Sequence, residues 1–218
     1  MKKRAIVSVS DKTNVVEFCK SLIECNFEII STGGTKKILD ENGVKTIAID
    51  EITSFPEMLD GRVKTLHPLV HGGLLGVLDN DSHVEQMKKH GIYPISLVCV
   101  NLYPFKKTIN TKGTTYEDAI ENIDIGGPSM LRSAAKNHKF VSVVCDSSDY
   151  DLVIKEIKEF GDTTLNTRVY LASKAFRTTA SYDSLIQNYL FEQANIKNDK
   201  LLMDYDIKQE LRYGENPH

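Results

Sequence analysis

Short apolar runs alternate with amphipathic segments along the first half of the chain. Residues 4–10, 27–32 and 44–49 are rich in branched apolar side chains, which predicts strands. Residues 14–25 and 35–42 place their apolar side chains at helical spacing, which predicts helices between those strands. Strands that alternate with helices predict βαβ units and a mostly parallel sheet.

The second half continues the pattern and then becomes helical. Residues 95–103 and 140–146 are nearly continuous apolar runs, typical of strands that are covered on both faces. Helical spacing is found near 115–123, at 149–160, and from about 164 to 193. The predicted fold class is therefore α/β, with a mostly parallel sheet and a helical C-terminal extension.

Composition narrows the class of protein. The chain has 218 residues, 41% of them hydrophobic and 26% charged, as in ordinary globular domains. A net charge of −3 argues against nucleic acid as a partner, because nucleic-acid-binding domains carry a basic excess. No apolar run is long enough for a membrane span, and the N-terminal run is too short for a signal peptide. Single, scattered cysteines predict buried reduced thiols, and hence a cytoplasmic protein.

Hydroxyl groups, glycines and a lysine follow the first two predicted strands. The carboxyl ends of parallel strands meet at one edge of the sheet, where helix N-termini attract anions. We therefore predict a phosphate site, although plain turns with ordinary helix caps would explain each segment alone. The spacing matches neither a dinucleotide fingerprint nor a Walker loop. The residues are Ser8, Ser10, Lys12, Thr32, Gly33, Gly34 and Thr35.

A Gly/Pro-rich stretch at 51–80 is predicted to be a loop. Within it, Arg62 and Lys64 are two residues apart, which places both cations on one side of an extended segment beside Thr65. An anion between them would explain the pattern, and the alternative is a solvated basic loop. His67 and His71 have metal-ligand spacing only if they lie on a helix, which Pro68, Gly72 and Gly73 disfavour. We expect structural histidines and no metal.

Further polar residues follow the later apolar runs. Asn101 and Tyr103 come after the fourth predicted strand. Asp124 precedes two glycines and Pro128, which is suited to the first position of a helix that also carries Lys136. Alone, each of these residues is compatible with a turn or an exposed surface. Together, they are expected at the same edge of the sheet as the phosphate site.

Six segments, taken together, resemble one known family. "SVSDK", "STGGT", "GRVKTLHP", "CVNLYPF", "IDIGGPSMLRSAAKN" and "RYGENPH" are similar to the N-terminal inosine monophosphate cyclohydrolase domain of bifunctional purine-biosynthesis enzymes. The resemblance covers residues 4–218. It implies a methylglyoxal-synthase-like three-layer sandwich at 1–197, followed by a linker and the start of a formyltransferase domain at 198–218.

The family's site residues can be transferred to this sequence position by position. The resemblance implies proton transfer by a lysine and stabilisation by polar groups around it, with the catalytic set Lys64, Tyr103, Asp124 and Lys136. It implies that a purine ribotide is held by Ser8, Ser10, Lys12, Thr32, Gly33, Gly34, Thr35, Arg62, Thr65, Asn101, Ile125 and Gly126.

The same resemblance implies the partners. Cyclisation needs no cofactor or metal, whereas a 10-formyl folate would serve a formyltransferase domain, and a chain without that domain should not transfer formyl groups. A homodimer is expected. Two alternatives share the fold: a methylglyoxal-synthase-type lyase, and a regulatory module that binds nucleotide without turnover.

Overall fold

A parallel sheet lies at the centre of the computed structural model, which describes residues 2–59, 61–195, 200, 202–205 and 207–210. Within these residues, five strands pair in the order β3-β2-β1-β4-β5, and every pairing is parallel. The strands are β1 Lys3–Ser8, β2 Phe27–Ser31, β3 Thr46–Ala48, β4 Leu97–Val100 and β5 Ser142–Val144. The predicted α/β class is confirmed.

Helices connect and flank the strands. In chain order they are α1 Val15–Glu24, α2 Gly33–Glu41, α3 Ile49–Thr53, α4 Pro68–Leu75, α5 Asp81–Lys89, α6 Phe105–Ile109, α7 Tyr116–Glu121, α8 Gly126–Lys136, α9 Tyr150–Phe160 and α10 Leu165–Ala194. A short 3₁₀ turn, Ser147–Asp149, precedes α9. The helices predicted at 14–25, 35–42, 115–123, 149–160 and 164–193 agree with α1, α2, α7, α9 and α10 to within two residues at each end.

The main core lies on both faces of the sheet. All four residues of β4 are buried, as expected for a strand covered from two sides. One group of helices is built on α1 and α9, where Phe18 stacks on Tyr150 with ring centroids 4.1 Å apart. The other group is built on α8, which contacts α4, α10 and the strands β4 and β5, while α10 also contacts β5. Helices of both groups therefore position the strand ends.

A second, smaller core lies beside the main one. Phe105 of α6, Ala119 of α7 and Tyr182 of α10 are buried together. Leu102, just after β4, packs against both cores. This second core attaches α6 and α7 to the C-terminal half of α10.

The structure corrects the prediction that 51–80 is a loop. This stretch contains the end of α3 and all of α4, and α4 carries both histidines. Pro68 occupies the first turn, where its missing N–H costs nothing, and His67 Nδ1 caps the helix by accepting Leu69 N–H at 3.2 Å. A methyl group on Gly73 would lie 2.6 Å from the Tyr93 carbonyl oxygen, so the glycine allows close packing. Close packing outweighs the low helix propensity of glycine here.

Two smaller differences concern element ends. The helix expected to begin at Pro128 begins at Gly126, so the glycines form its first turn. The strand predicted at 95–103 is confined to Leu97–Val100, which leaves Asn101 and Tyr103 in the loop that follows.

The cysteines are all free thiols, as predicted. Cys19, Cys99 and Cys145 are buried, and Cys25 is half-buried. Burial raises the pKa of Cys99 to about 12, which keeps this thiol protonated and unreactive. None of the helices in the described part of the chain is both long and apolar enough to cross a membrane.

Candidate functional site

The ends of β1 and β2 are joined by hydroxyl groups. Ser8 Oγ lies 2.8 Å from Thr32 Oγ1. Thr35 Oγ1 accepts the Val9 N–H at 3.0 Å and donates to the Val9 carbonyl at 2.9 Å, so its hydroxyl is fully engaged inside the protein. The buried Thr35 side chain therefore connects α2 to the end of β1 and fixes the turn beside the predicted phosphate site.

The first turn of α2 lies at this edge of the sheet. Thr32 is the N-cap residue, and Gly33 has a φ of +45°, a conformation that side chains disfavour. A methyl group on Gly34 would meet no atom within 4 Å, so space is open beside the helix end. The first N–H groups of a helix have no intrahelical partner and carry the positive end of its dipole. This turn can therefore receive an anion.

Asn101 fixes the loop that follows β1. Its Oδ1 accepts the N–H groups of Ser10 at 2.6 Å and Asp11 at 3.0 Å, and its Nδ2 donates to the Asp11 carbonyl at 2.9 Å. Lys12 Nζ donates to the carbonyls of Val9 and Ser10. Asn101 thus holds the loop after β1 against the end of β4, and Lys12 stabilises that loop from within.

The two cations of the 61–68 segment each have a carboxylate partner. Lys64 Nζ lies 3.1 Å from Glu57 Oε1, and Arg62 forms an ion pair with Glu121 of α7. A methyl group on Gly33 would lie 3.8 Å from Lys64 Nζ, so this ammonium group lies over the α2 turn. Lys64 is therefore a neighbour of the turn for which the sequence predicts a phosphate site.

Asp124 lies at the start of α8 on the same edge. Its Oδ1 accepts the Gly127 N–H at 2.9 Å. Burial raises the pKa of Asp124, although hydrogen bonds from the backbone of Gly127 and Tyr103 and the nearby charge of Lys64 oppose the shift. A methyl group on Gly126 would lie 2.6 Å from Thr65 Oγ1, so the α8 N-terminus packs directly on the Lys64 segment.

The predicted residues fall into a central cluster and a periphery. Gly33, Lys64, Thr65, Asp124 and Gly126 form the cluster through the contacts given above. The Tyr103 side chain is 52% exposed and that of Ile125 is 56% exposed, so both are open to solvent at its margin.

Lys136 occupies a different place. It is exposed at the last position of α8, and ten residues at 1.5 Å each put it about 15 Å along the axis from Gly126. Among the described residues, it makes no hydrogen bond or ion pair with the cluster. Its catalytic role stays a prediction.

Two residues of the site could not be found from the sequence. Glu57 faces Lys64 because an isolated antiparallel bridge between Met58 and Val63 folds the segment back on itself. Tyr182 contacts Asp124 from the distant helix α10. A glutamate in a loop and a tyrosine in a helical apolar pattern carry no local signal of these contacts.

The histidines are held by protein groups. His67 Nδ1 caps α4, and His71 Nδ1 lies 3.0 Å from Ser133 Oγ. Burial lowers the pKa of His71, which favours the neutral ring. In the described ranges, no group of histidine, cysteine and acidic side chains is arranged to hold a metal ion.

An ammonium group, a partly buried carboxylate and two helix N-termini therefore meet at one edge of the sheet. The helix ends can bind anionic groups, and Lys64 and Asp124 can exchange and hold protons beside them. Such a set suits an anionic, phosphorylated ligand whose reaction requires proton transfer.

Comparison with known proteins identifies the family to which the chain is related. The family model of the MGS-like domain matches residues 14–129, and the model of the AICARFT/IMPCHase bienzyme matches residues 134–218. The chain is 62% identical over its whole length to the bifunctional purine biosynthesis protein PurH of Bacillus thuringiensis (strain Al Hakam), and 62% identical to those of Bacillus cereus (strain B4264) and Bacillus mycoides (strain KBAB4).

The chain spans 43% of the length of these PurH relatives. Among solved structures, the crystal structure of ForH superimposes with a TM-score of 0.78 at 33% sequence identity, covering 87% of this chain and 98% of that one. The chain therefore belongs to the MGS-like domain family, and along its whole length it is similar to part of the bifunctional PurH proteins.

Proposed function

We propose that this chain is an inosine monophosphate cyclohydrolase, which closes the ring of 5-formamidoimidazole-4-carboxamide ribotide with loss of water. The observation that carries the proposal is that Lys64 lies over the α2 turn, while Asp124 and the α8 N-terminus lie beside the Lys64 segment. The similarity to PurH supports the choice of a purine ribotide as substrate.

The reaction needs proton transfer and little else from the protein. The carboxamide nitrogen bonds to the formyl carbon and gives up one proton, and the formyl oxygen becomes a hydroxyl group. That hydroxyl then leaves as water while the formamido nitrogen loses its proton and a C=N bond forms. Both reacting groups are carried by one imidazole ring, so the site's task is to hold the reactive rotamer and to manage protons and charge.

The ribotide would bind with its phosphate at the α2 turn. The N–H groups of Gly33 and Gly34 begin α2 at that edge, beside the hydroxyl groups of Ser8 and Thr32, which are hydrogen-bonded to each other. Each charge-assisted hydrogen bond to the phosphate would contribute roughly 1.5–3 kcal/mol. The base would then lie toward Lys64, with Arg62, Asn101 and Ile125 around the base and ribose.

Lys64 and Asp124 would carry the central proton transfers. Asp124 places a negative charge near the ammonium group, and the protein neighbour of that ammonium, Glu57, is an exposed carboxylate that an incoming substrate can replace. Backbone N–H groups near Gly126 and the phenol of Tyr103 would meet the developing oxyanion. Lys136 is retained as a proton donor or acceptor, since the resemblance assigns it that role.

The wider setting is also proposed from the resemblance. The cyclisation requires no metal or organic cofactor, and the protein is a cytoplasmic homodimer. Formyl transfer from a 10-formyl folate would belong to a formyltransferase domain. Sedimentation velocity of the purified chain tests the dimer, with a monomer at micromolar concentration as the contrary result.

A direct assay tests the proposed reaction. The purified chain is mixed with the formylated ribotide, and inosine monophosphate is followed by its absorbance, with Lys64→Ala as the matched control. We expect turnover by the natural chain and a strong loss in the variant. Tight nucleotide binding without conversion would instead favour a regulatory module, and release of inorganic phosphate from a triose phosphate would favour a lyase.

A further inference from the structure

Helix α10 touches the candidate site through one side chain. Tyr182 is buried at 8% exposure, and its phenol oxygen accepts the backbone N–H of Asp124 at 2.8 Å. The same oxygen lies 3.5 Å from the Asn122 carbonyl, at the limit of a hydrogen bond. Tyr182 thus holds the chain at the residue that begins the α8 segment of the site.

Aromatic packing fixes the ring of Tyr182. Phe105 meets Tyr182 edge-on, with ring centroids 6.2 Å apart, and it meets Tyr189 in the same way at 5.6 Å. Leu102 packs into this second core and also lies against Gly127, where an added methyl group would be 3.0 Å from its Cδ2 atom. The phenol oxygen therefore has little freedom to move relative to the α8 N-terminus.

The orientation of the Asp124 side chain depends on its backbone. The carboxylate accepts the Gly127 N–H three residues along the chain, a contact that requires the peptide at Asp124 to be held in one orientation. On the side of the carboxylate, the charged group facing Asp124 is Lys64; on the side of its N–H, the titratable group is the phenol of Tyr182. Two hydrogen bonds therefore hold Asp124, one from the Gly127 N–H to its carboxylate and one from its own N–H to Tyr182.

We propose that Tyr182 is a positioning residue of the site: its phenol oxygen fixes the Asp124 backbone and thereby aims the Asp124 carboxylate at Lys64. This role rests on the proposed function, since it concerns the carboxylate that the cyclisation would use. With this role, α10 helps to build the candidate site, although none of the residues predicted to bind substrate lies on α10.

The test compares two substitutions that each remove one hydroxyl group from α10. Tyr182→Phe removes the oxygen that holds Asp124. Tyr189→Phe removes a phenol oxygen from the same aromatic cluster that, within the described residues, has no hydrogen-bond partner. Both variants keep the ring, so a loss of packing should be small and similar in the two.

We expect Tyr182→Phe to lower kcat about 10–100-fold with KM nearly unchanged, because small misplacements of catalytic groups cost up to that factor. The Tyr189→Phe enzyme should match the natural chain. An equal decrease in kcat in both variants, or an unchanged kcat in Tyr182→Phe, would overturn the proposal.

A second measurement separates this inference from the proposed reaction. Titration of the ¹³C-labelled Asp124 carboxyl group by NMR reports its environment whether or not the chain turns over substrate. We expect the raised pKa of Asp124 to move toward the ordinary range in Tyr182→Phe, as water reaches a loosened carboxylate, and to stay in place in Tyr189→Phe. An unmoved titration in Tyr182→Phe rejects the positioning role.

The hydrogen bond can also be tested without any variant. In the natural chain, the Asp124 amide proton should exchange slowly with solvent because Tyr182 accepts it. Rapid exchange of this amide would contradict the contact and, with it, the proposed role, even if Tyr182→Phe failed to fold.

Discussion

Asp124 and Lys64 are held in contrasting ways by the protein. Asp124 is partly buried and accepts backbone N–H groups, whereas Lys64 reaches the site from a turn and pairs with an exposed carboxylate. The carboxylate is therefore fixed in advance, and the ammonium group is free to exchange its partner when substrate binds. This asymmetry suits a lysine that moves protons beside a stationary counter-charge.

We expect Lys64→Ala to lower kcat by roughly 10²–10⁴, the range for loss of a general acid or base. Tyr103→Phe should cost less, because the Tyr103 side chain is half exposed and backbone N–H groups share its role. Lys136→Ala should also lower kcat more than Tyr103→Phe does, because the resemblance assigns proton transfer to Lys136. Steady-state kinetics of the three variants decide the order, and a Tyr103→Phe loss larger than that of Lys64→Ala would refute the role assignment.

The pH dependence of turnover should reflect Asp124. Its pKa is raised by burial, so the carboxylate becomes protonated at a higher pH than an ordinary aspartate, for which about 3.9 is typical. Since the ionised form is the one that supports Lys64, kcat should fall on the acid side above that ordinary value. The same shift means that ionising Asp124 opposes folding as the pH rises through its native pKa. Asp124→Asn should abolish this fall in kcat on the acid side. A natural chain whose kcat shows no such fall would contradict the role assigned to Asp124.

At the scale of elements, the first turn of α2 and the anchoring of α10 matter most. The α2 turn is shaped by Gly33 at positive φ and by the buried Thr35 hydroxyl. The long helix α10 is attached at one end of the sheet by Lys174, which is buried between Asp149 at 2.7 Å and Asp146 at 2.9 Å. The first turn of α2 presents the N–H groups that are proposed to bind phosphate, and α10 holds the second core against the candidate site.

Two glycine substitutions should separate folding from ligand binding. Gly34→Ala adds a methyl group that meets no protein atom, so stability should be unchanged, but the methyl group narrows the space beside the α2 N–H groups. Loss of one charge-assisted hydrogen bond should weaken inosine monophosphate binding about 10–100-fold. Gly33→Ala should in addition cost about 1–2 kcal/mol of stability because its φ is +45°. Titration calorimetry measures the inosine monophosphate affinity of each variant, and scanning calorimetry measures its stability. If Gly34→Ala binds inosine monophosphate as tightly as the natural chain, the α2 turn is excluded as the phosphate site.

Removal of Lys174 should destabilise the fold far more than removal of an exposed lysine. Lys174→Ala leaves the buried Asp149 without its cationic partner, which costs roughly 3–5 kcal/mol of the free energy of unfolding. The matched control is Lys158→Ala, which breaks an exposed pair with Glu24 and should cost about 0–1 kcal/mol. Urea denaturation measures the free energy of unfolding of both variants. Similar decreases would show that the buried Lys174 cluster stabilises the fold no more than an exposed ion pair does.

Acid should reduce the stabilising effect of the Lys174 cluster. Hydrogen bonds from Lys174 and the Ser148 backbone lower the pKa of Asp146 to about 2, below its ordinary value of 3.8. A lowered carboxylate pKa stabilises the fold above the ordinary value, and that stabilisation is lost as the pH falls toward 2. The Asp146 contribution is modest, because its side chain is 45% exposed to screening solvent. The difference in unfolding free energy between the natural chain and Lys174→Ala should therefore shrink below about pH 4, and a constant difference would contradict this origin.

At the scale of the whole molecule, the alternation of strands and helices was predictable because both have strong local signals. The strand at 27–32, the turn after it and the helix that ends before Gly161 follow from apolar runs, glycines and caps alone. Helix α4 was missed because the sequence cannot show that Gly73 packs against the Tyr93 carbonyl. Long-range packing decided that element.

In the candidate site, too, some features could be predicted from local sequence patterns and others depend on long-range packing. The strand ends could be predicted to converge because parallel topology brings them to one edge, and Lys64 was found beside Gly33 as expected. Glu57 reaches Lys64 through a folded-back turn, and Tyr182 lies 58 residues from Asp124 in the sequence, so no local pattern indicates either contact. The "RYGENPH" segment, which the resemblance assigned to the start of the next domain, lies outside the described residues.

An experimental structure of the chain with inosine monophosphate bound tests the central claim most directly. We expect the phosphate against the N–H groups of Gly33 and Gly34, and the base within hydrogen-bonding distance of Lys64 and the α8 N-terminus. A nucleotide bound elsewhere on the molecule, or one whose phosphate lies away from the α2 turn, would contradict the account.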